Sequence, residues 1–268
     1  MNLRVTMIKT VGVLGVGLWL MGQGAASAQV TISTNSVADA FVRSSDPTHN
    51  YGGAGALSVS GTIATNASGV QEGALDSFIR FDISSMVGQF NADFGVGDWT
   101  ISSAKLLLTE TAAPAQAIFN RGVGQFEVRW IANDSWSEGT GTPTAPATNG
   151  IVYNDEPSVL NAAQDATLGL FANGGSNGLD TFSLATPSAF LGDIGAGGPV
   201  SFYLTATPNS TVGFTFNSHE FGTVSQRPFL QLTAVAVPEP SALALVGLSI
   251  VALAALSRHR LGRHDATS

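Results

Sequence analysis

The chain of 268 residues contains no cysteine. A disulfide framework, a thiolate metal site and a cysteine nucleophile are therefore all excluded. The stability of a folded domain must come from the burial of apolar side chains, helped at most by a bound hard cation.

Basic residues are scarce in the central part of the chain. Residues 29–237 hold 17 Asp and Glu against 6 Lys and Arg, so this part carries a formal net charge of −11. A surface of this sign repels phosphate backbones and anionic lipid headgroups. We therefore expect neither nucleic acid nor an anionic membrane surface as a partner.

Residue patterns that could form a catalytic site are also few. The same span has two histidines, His49 and His219, and neither has a partner at the spacing of a catalytic or metal-binding motif. The run 174–178 has the Gly-x-Ser-x-Gly pattern, but a predicted strand follows it where a nucleophile elbow requires a helix. The adjacent Asp155 and Glu156 give no sign of facing each other across a cleft, as glycosidase carboxyls must. We expect that the protein is not an enzyme.

The N-terminal end has the layout of an export signal. A short basic region precedes an apolar run over residues 11–21, and the small residues Ala26 and Ala28 follow. The run is shorter than the roughly 20 residues that a membrane-spanning helix needs. Residues 1–28 are therefore predicted to be a signal peptide that signal peptidase removes after Ala28.

The C-terminal end combines a Pro-Glu-Pro triplet, an apolar run and a basic tail, in that order. The residues concerned are Pro238, Glu239, Pro240, the run 241–257, Arg258 and Arg260. Seventeen apolar residues in a helix reach roughly 25 Å, which is near the short limit for spanning a bilayer. The basic tail would stay in the cytoplasm and leave the bulk of the chain outside. The sequence thus predicts one C-terminal transmembrane helix.

This order of features resembles the PEP-CTERM sorting signal, which an exosortase recognises in Gram-negative-type envelopes. The resemblance implies that an exosortase processes the chain at residues 238–240. Before processing, the inner membrane would hold the chain through residues 241–257. An ordinary C-terminal anchor without processing is the alternative.

Between the two ends, apolar residues fall in short runs at alternating spacing. Phe126, Val128 and Trp130 share one face of a predicted strand over residues 125–131, and polar residues share the other. About ten such strands are predicted, at 30–34, 38–43, 57–60, 78–83, 104–109, 125–131, 181–184, 200–205, 212–216 and 229–235. Helical turns are expected only at 157–170 and 188–194. The predicted fold is an all-β antiparallel sandwich or jelly roll over residues 29–237.

Six short pieces of the domain occur in a characteristic order. They are Ala38–Arg43, Asn50–Gly53, Phe78–Ser84, Ser103–Leu106, Trp136–Gly139, and Phe216–Glu220 with Arg227–Leu230. This succession resembles the DNRLRE family of bacterial extracellular domains over almost all of residues 37–233. The resemblance implies a jelly roll related to carbohydrate-binding modules, with noncatalytic polymer binding. The chain departs from the family at residues 142–146, which replace a usual Thr-Trp-Asn, and at His219, which replaces the family's arginine.

Sugar binding requires partly exposed aromatic rings flanked by hydrogen-bonding groups. Four aromatic residues lie in or beside predicted loops, and these ligand-binding candidates are Tyr51, Trp99, Trp136 and Tyr153. The alternative role at each position is to pack the loop against the sandwich.

Asp39 and Asp82 are the candidate metal ligands. Either carboxylate, joined by backbone carbonyls, would suit a structural calcium ion, which takes six to eight oxygen ligands. The alternative is a buried charge-assisted hydrogen bond, for example between Asp39 and Arg80. The sequence has no calcium loop of spaced aspartates, so a metal site would be assembled from distant segments.

These patterns together predict an exported protein of the cell surface or extracellular matrix, anchored in the membrane before processing. The expected function is that of a noncatalytic polysaccharide-binding module in biofilm or exopolysaccharide. Two alternatives stay open: a purely structural matrix protein without a glycan ligand, and a polysaccharide lyase or hydrolase.

Overall fold

The structure, a computed structural model, describes residues 28–66, 68–111, 124–172 and 178–237. The strands in these ranges are β1 (Gln29–Arg43), β2 (Ala56–Ser60), β3 (Leu75–Asp82), β4 (Trp99–Thr109), β5 (Gln125–Ile131), β6 (Ala166–Ala172), β7 (Leu179–Leu184), β8 (Pro199–Ala206), β9 (Gly213–Asn217) and β10 (Phe229–Ala236). The helices are α1 (Ser84–Phe94), α2 (Glu156–Val159) and α3 (Ser188–Ala196), with 3-10 turns at Tyr153–Asp155 and Val224–Gln226.

Strand β1 is shared by two antiparallel layers. Its first half, residues 29–35, pairs with β10 in a layer of order β1-β10-β4-β7. Its second half, residues 36–43, pairs with β3 in a layer that continues through β8 and β5 to β6. The register shifts between Ser36 and Ala38, so the strand changes layer at an irregularity of the bulge type. The predicted all-β antiparallel fold is confirmed.

The main core lies between the two layers. Phe126, Val128 and Trp130 of β5 are all buried, as their alternation predicts. Phe126 packs edge-on against Phe182 of the opposite layer, with ring centroids 5.3 Å apart. Other members from both layers are Ile79, Phe81, Phe202, Leu204, Leu106, Leu108, Leu230 and Leu232.

A second, smaller core lies on the other face of the β3 layer. Phe78 and Tyr203 face this side because they alternate with residues that face the main core. Trp136 packs on Phe78, with ring centroids 5.7 Å apart. Further members are Ala38, Ala40, Val42, Ile131, Ile151 and Val159. Residues 132–165, which we call the cover, thus close over the sheet instead of forming an open loop.

One buried amide ties the cover to the loop after β1. The Asn50 side chain donates through Nδ2 to the carbonyl oxygens of Glu138 at 2.5 Å and Ile151 at 2.8 Å. Its Oδ1 accepts from the N–H groups of Gly52 at 2.9 Å and Gly141 at 3.3 Å. Asn50 is fully buried, so a single side chain satisfies four backbone groups that are shielded from water.

Backbones around Asn50 approach so closely that glycine is required at two positions. A Cβ at Gly52 would lie 2.2 Å from the carbonyl oxygen of Glu138. Gly139 has a φ of +80°, and a Cβ there would lie 2.1 Å from Asn50 Oδ1. Glycine supplies both the positive φ and the clearance. Packing therefore explains these glycines of the Tyr-Gly-Gly and Trp-Ser-Glu-Gly pieces.

The structure differs from the predicted elements at two places. The sequence interpretation places no helix at 84–94, yet α1 buries Met86, Val87 and Phe90 against the main core. A helical turn is expected over 157–170, but only the first residues of this range are helical, in α2. The last residues of the range belong to the edge strand β6. Helix α3 does lie where a helical turn is predicted.

Several predicted features lie outside the described residues. They are the signal peptide with Ala26, the glycine-rich run at 174–177, and the sorting signal from Pro238 onward with its apolar run. Within the described ranges, no helix is both long enough and apolar enough to cross a membrane.

Two carboxyl groups meet beneath the cover. Asp76 of β3 is buried, and Glu156 of α2 accepts a hydrogen bond from the Tyr203 hydroxyl at 3.3 Å. Burial disfavours the charged form and raises the pKa of Asp76 to about 6. Burial, and then the charge of Asp76, raise the pKa of Glu156 to about 8. The pair therefore retains a proton near neutral pH.

Loss of the Asn50 side chain leaves four backbone groups without partners in a closed site. We expect Asn50→Ala to lower the free energy of unfolding by about 3–5 kcal/mol, because each unsatisfied buried group costs roughly 1–3 kcal/mol and the site relaxes in part. Urea unfolding followed by tryptophan fluorescence measures the change. Asn149 is exposed and accepts hydrogen bonds from Thr140 in the same cover, so Asn149→Ala is the matched control. Equal losses in the two variants would contradict the role given to Asn50.

The proton held by Asp76 and Glu156 makes stability depend on pH. Both pKa values are raised above 3.8 and 4.5, the ordinary values of these side chains. The contribution of the pair is therefore complete below about pH 4 and is lost as the pH rises past about 6 and then about 8. We expect the midpoint of urea unfolding to fall between about pH 5 and about pH 9, and to fall less in Glu156→Gln.

The matched control for this pH dependence is Glu127→Gln. Burial raises the pKa of Glu127, but hydrogen bonds from Thr167 and Arg129 outweigh it and lower the pKa overall. Its titration lies below the tested range, so Glu127→Gln should retain the wild-type decline. An undiminished decline in Glu156→Gln would show that the pair is not its source.

Candidate functional site

Two of the four aromatic residues predicted to face a ligand are buried. Tyr51 is 1% exposed and stacks on Phe41, with ring centroids 4.8 Å apart. Trp136 is 5% exposed, packs on Phe78 in the second core, and donates through Nε1 to Ser201 Oγ at 3.0 Å. The expectation of exposed rings is wrong at both positions, and both residues pack their loops against the sandwich. The exposed part of Trp136 lines a cavity with Ser135 and Ser158, so its role in ligand binding stays a prediction.

Trp99 and Tyr153 are half-buried. Trp99 packs on Phe90 of α1, with ring centroids 5.2 Å apart, and donates through Nε1 to Asn91 Oδ1 at 2.8 Å. Tyr153 packs against the second core. Trp99 packs against the main core, whereas Tyr153 lies in the cover against the second core, so these rings do not form a shared platform. Their role in ligand binding stays a prediction.

A polar cleft opens at the surface of the cover. It consists of two adjoining cavities of about 590 and 440 Å³, lined by residues from 132–137 and 150–165. The residues that line both cavities are Asn133, Ser135, Ser158 and Val159. Asn161 and Gln164 line the larger cavity. Among the described residues that line the polar cleft, none is Lys, Arg or His.

Hydrogen bonds fix the walls of the polar cleft. Beneath it, Arg80 donates through Nη1 to the carbonyl oxygen of Asp134 at 2.8 Å. Asp165 accepts from the N–H of Ala132 at 3.1 Å through Oδ1 and from the N–H of Asn161 at 2.6 Å through Oδ2. One carboxylate therefore joins the two walls, and the polar groups are positioned before any ligand arrives.

Two of the carboxylates in and beside the polar cleft, those of Asp155 and Asp165, are engaged in holding the backbone. Both oxygens of Asp165 accept N–H groups, and Asp155 Oδ2 accepts from the N–H of Val152 at 3.1 Å. Glu156 instead turns under the cover toward Tyr203. Asp155 and Glu156 thus do not form a pair of facing carboxyls.

The two predicted metal ligands lie in separate places. Asp82 is exposed, and its Oδ1 accepts from the N–H of Ser84 at 3.0 Å at the start of α1. Hydrogen bonds from Ser84 lower the pKa of Asp82. Asp39 is buried in β1, and Arg80, its suggested partner, binds the wall of the polar cleft instead.

Asp39 meets three other ionisable side chains, in a group that we call the His219 cluster: Asp39, Glu138, His219 and Glu220. One ligand atom from each side chain lies within 4.8 Å of all the others. His219 Nδ1 is 2.8 Å from Glu138 Oε1, 3.0 Å from Glu220 Oε1 and 3.8 Å from Asp39 Oδ1. Strand β1, the cover and the turn after β9 thus converge at this point.

Burial and contacts within the cluster shift the pKa values of Asp39 and His219 strongly. Burial raises the pKa of Asp39 to about 7, although hydrogen bonding to His219 opposes the shift. The contacts of His219 with Asp39, Glu138 and Glu220 raise the pKa of the imidazole to about 12. The ring therefore carries a positive charge, and a single imidazolium is the counter-ion of three carboxyl groups.

Sequence reasoning assigns no role to Glu138 or Glu220 and treats His219 as an ordinary polar residue. A signal is present for two of them. Glu138 belongs to the Trp-Ser-Glu-Gly piece, and His219 occupies the position of an arginine in the family that the domain resembles. A cationic side chain at position 219 indicates that carboxylates lie nearby. It does not indicate which residues supply those carboxylates.

Comparison with known proteins agrees with the two resemblances found in the sequence. Residues 30–169, more than half of the chain, match the model of carbohydrate-binding module family 96. Residues 236–260 match the PEP-CTERM protein-sorting motif. No curated protein matches the chain.

The two matches cover different parts of the chain and indicate different properties. The module match contains both walls of the polar cleft, and it contains Asp39 and Glu138 of the His219 cluster. The sorting motif implies processing by an exosortase and a location at the cell surface or outside the cell. The predicted likeness to a carbohydrate-binding module with a PEP-CTERM signal is confirmed. The chain belongs to carbohydrate-binding module family 96.

Proposed function

We propose that the domain is a noncatalytic module that binds a neutral polysaccharide in the polar cleft. The protein would serve at the cell surface or in the extracellular matrix, as a component of biofilm or exopolysaccharide. The observation that carries this proposal is a fixed, polar cleft with no basic lining residue among those described, in a member of a carbohydrate-binding family.

The lining chemistry suits sugar hydroxyl groups. Asn133, Asn161 and Gln164 bring amide donors and acceptors, and Ser135 and Ser158 bring hydroxyl groups that act as both. Val159 adds an apolar patch for C–H groups. A few placed polar groups around an apolar patch are typical of sites for small or repeating ligands.

Charge supports a neutral ligand over an acidic one. The polar cleft carries the carboxylates of Asp134, Asp155 and Asp165, and residues 29–237 have a net charge of −11. A uronate or sulfate group would enter this field without a cationic side chain in the described lining to receive it. Between acidic and neutral polysaccharides, the neutral class fits the polar cleft better.

The use of the carboxylates supports a noncatalytic role. Glycoside hydrolysis requires two carboxyl groups facing each other across the scissile bond. In the polar cleft, Asp165 and Asp155 accept backbone N–H groups of the walls. Their oxygens hold the site together, which leaves them poorly suited to exchange protons with a substrate.

We also propose a fixed order of export. Signal peptidase removes residues 1–28, residues 241–257 hold the chain in the inner membrane, and an exosortase then acts at residues 238–240. The match of residues 236–260 to the sorting motif supports this order, because it contains both the triplet and the apolar run.

The binding proposal predicts that polar side chains of the cleft set the affinity. We expect Gln164→Ala combined with Ser135→Ala to weaken binding of a neutral polysaccharide roughly 5- to 150-fold, since each lost hydrogen bond contributes about 0.5–1.5 kcal/mol. Affinity electrophoresis against neutral and acidic polysaccharides measures the retention. Retention of the wild-type protein should change little with added salt, because no ion pairs are involved.

Matched exposed residues elsewhere provide the control. Gln89 lies in α1 and Ser183 in β7, and Gln89→Ala with Ser183→Ala should leave retention unchanged. Salt-sensitive binding of an acidic polysaccharide would contradict the neutral assignment. No retention by a folded protein would favour the purely structural alternative, and release of shortened or unsaturated products would favour a hydrolase or lyase.

The export proposal predicts the fate of chains with an altered triplet. We expect Pro238→Ala with Glu239→Ala to stay in the membrane fraction with Ser268 still present, whereas the wild-type protein loses its C-terminal segment. Mass spectrometry of protein from cells and medium detects both ends. Pro208→Ala, at an exposed turn, is the control and should be processed normally. Normal processing of the altered triplet would contradict the proposed exosortase site.

A further inference from the structure

The His219 cluster contains a buried oxygen that no protein group satisfies. The Asp39 side chain is 1% exposed, and its Oδ1 has no hydrogen-bond partner. This oxygen faces His219 Nδ1 at 3.8 Å, which is too long for a hydrogen bond. A buried charged acceptor without a partner is costly, so the position calls for a cation.

The imidazolium of His219 balances charge in the cluster but does not hydrogen-bond to this oxygen. His219 Nδ1 is buried and lies 2.8–3.8 Å from three carboxylate oxygens, yet its N–H is aligned with none of them for a hydrogen bond. The ring nitrogen and the carboxylate oxygens therefore face one another without a hydrogen bond from the ring to hold them.

The distances fit a small divalent ion. At metal–ligand bonds of about 2.0–2.2 Å, tetrahedral ligand atoms stand about 3.3–3.6 Å apart. The distances from Nδ1, from 2.8 to 3.8 Å, bracket this spacing, and all four atoms lie within 4.8 Å of each other. Small rotations of the side chains would therefore bring every atom to bonding distance.

The second oxygens of Asp39 and Glu220 are held by the protein, as in metal sites whose ligands are oriented by outer contacts. Asp39 Oδ2 accepts from the N–H of His219 at 2.8 Å. Glu220 Oε2 accepts from Ser218 Oγ at 2.5 Å. Glu138 Oε1, which itself faces His219 Nδ1, also accepts from the N–H of Asp39 at 2.7 Å. The bonds of Asp39 and Glu220 leave Asp39 Oδ1 and Glu220 Oε1 on the side of His219 Nδ1.

An ion has access from solvent. Glu220 lines a groove of about 440 Å³ together with Gly55, Pro143 and Phe221. The cluster is therefore buried at Asp39 and open at Glu220.

We propose that the His219 cluster binds one first-row divalent transition-metal ion, of the Zn²⁺ or Mn²⁺ class, through Asp39, Glu138, His219 and Glu220. The ion displaces the proton of the His219 imidazolium to solvent, because only the neutral ring can ligate a metal. An imidazole ligand suits zinc, while calcium takes oxygen ligands alone, six to eight of them. A metal that accepts a nitrogen ligand therefore takes the place of the expected calcium ion. The site lies apart from the polar cleft and shares none of its described lining residues.

The metal would act as a structural clip. Asp39 and Glu138 are 99 residues apart, and Asp39 and His219 are 180 residues apart. A bond between such distant segments removes much of the freedom of the unfolded chain. In a protein without cysteine, the ion would do what disulfides do in other exported proteins.

Zinc binding to the full-length chain tests the proposal. The chain is purified in mild detergent without a polyhistidine tag, freed of metal with EDTA, and titrated with Zn²⁺ by calorimetry and thermal unfolding. We expect one ion per chain and a rise in Tm that EDTA reverses. Glu220→Gln removes one ligand at the open side, so it should weaken zinc binding at least about 10-fold while keeping the Tm of the metal-free chain within a few degrees.

The matched control is His49→Gln. His49 pairs with Asp46 at 2.6 Å, outside the His219 cluster, and its loss should leave zinc binding unchanged. Because His259 and His264 in the basic tail also offer nitrogen, the difference between wild type and Glu220→Gln isolates the cluster. Wild-type affinity in Glu220→Gln, or no stabilisation of the wild-type chain by Zn²⁺ or Mn²⁺, would overturn the proposal. Stabilisation by Ca²⁺ but not by Zn²⁺ or Mn²⁺ would overturn the metal class.

Discussion

Both the polar cleft and the His219 cluster depend on the hydrogen bonds of one buried side chain. Asn50 joins the loop after β1 to the two ends of the 138–151 segment of the cover. Those bonds fix the backbone of Glu138, which contributes to the cluster, and of Ile151, which lies at the start of the second wall of the cleft. An amide is suited to this position because it donates twice and accepts twice without adding charge. The glycines around it follow from the same close approach.

The strands could be predicted because nearly every one has at least one buried face. Alternation in Phe126, Val128 and Trp130 is enough to place β5, whereas β3 and β8 are buried on both faces and show as short, mostly apolar runs. Edge strand β6 breaks the rule, since only Leu168 is fully buried there. Helix α1 has apolar residues at helical spacing. Gly88 and the glycines that follow it are typical of loops, so the sequence pattern does not predict this helix. Local patterns also do not show that β1 serves two layers.

The candidate sites were harder to predict, because they depend on which loops are covered. Tyr51 and Trp136 have the sequence surroundings of exposed loop residues, and only the tertiary fold shows that their rings are buried. Asp39 could be selected from sequence, as a carboxylate within an apolar strand. Its partner Glu138 comes from a segment 99 residues away, and no local spacing connects the two. Long-range polar contacts of this kind carry no periodic signal.

An acidic domain without cysteine must neutralise the carboxylates that it buries, and this one does so in more than one way. Asp76 and Glu156 share a retained proton beneath the cover. Asp165 accepts two backbone N–H groups and needs no counter-ion. The His219 cluster has three carboxyl groups for one imidazole and an opening at Glu220. Because this opening gives an ion access to the carboxylates and the ring nitrogen, the His219 cluster is the position where the proposed metal ion can replace the imidazolium proton.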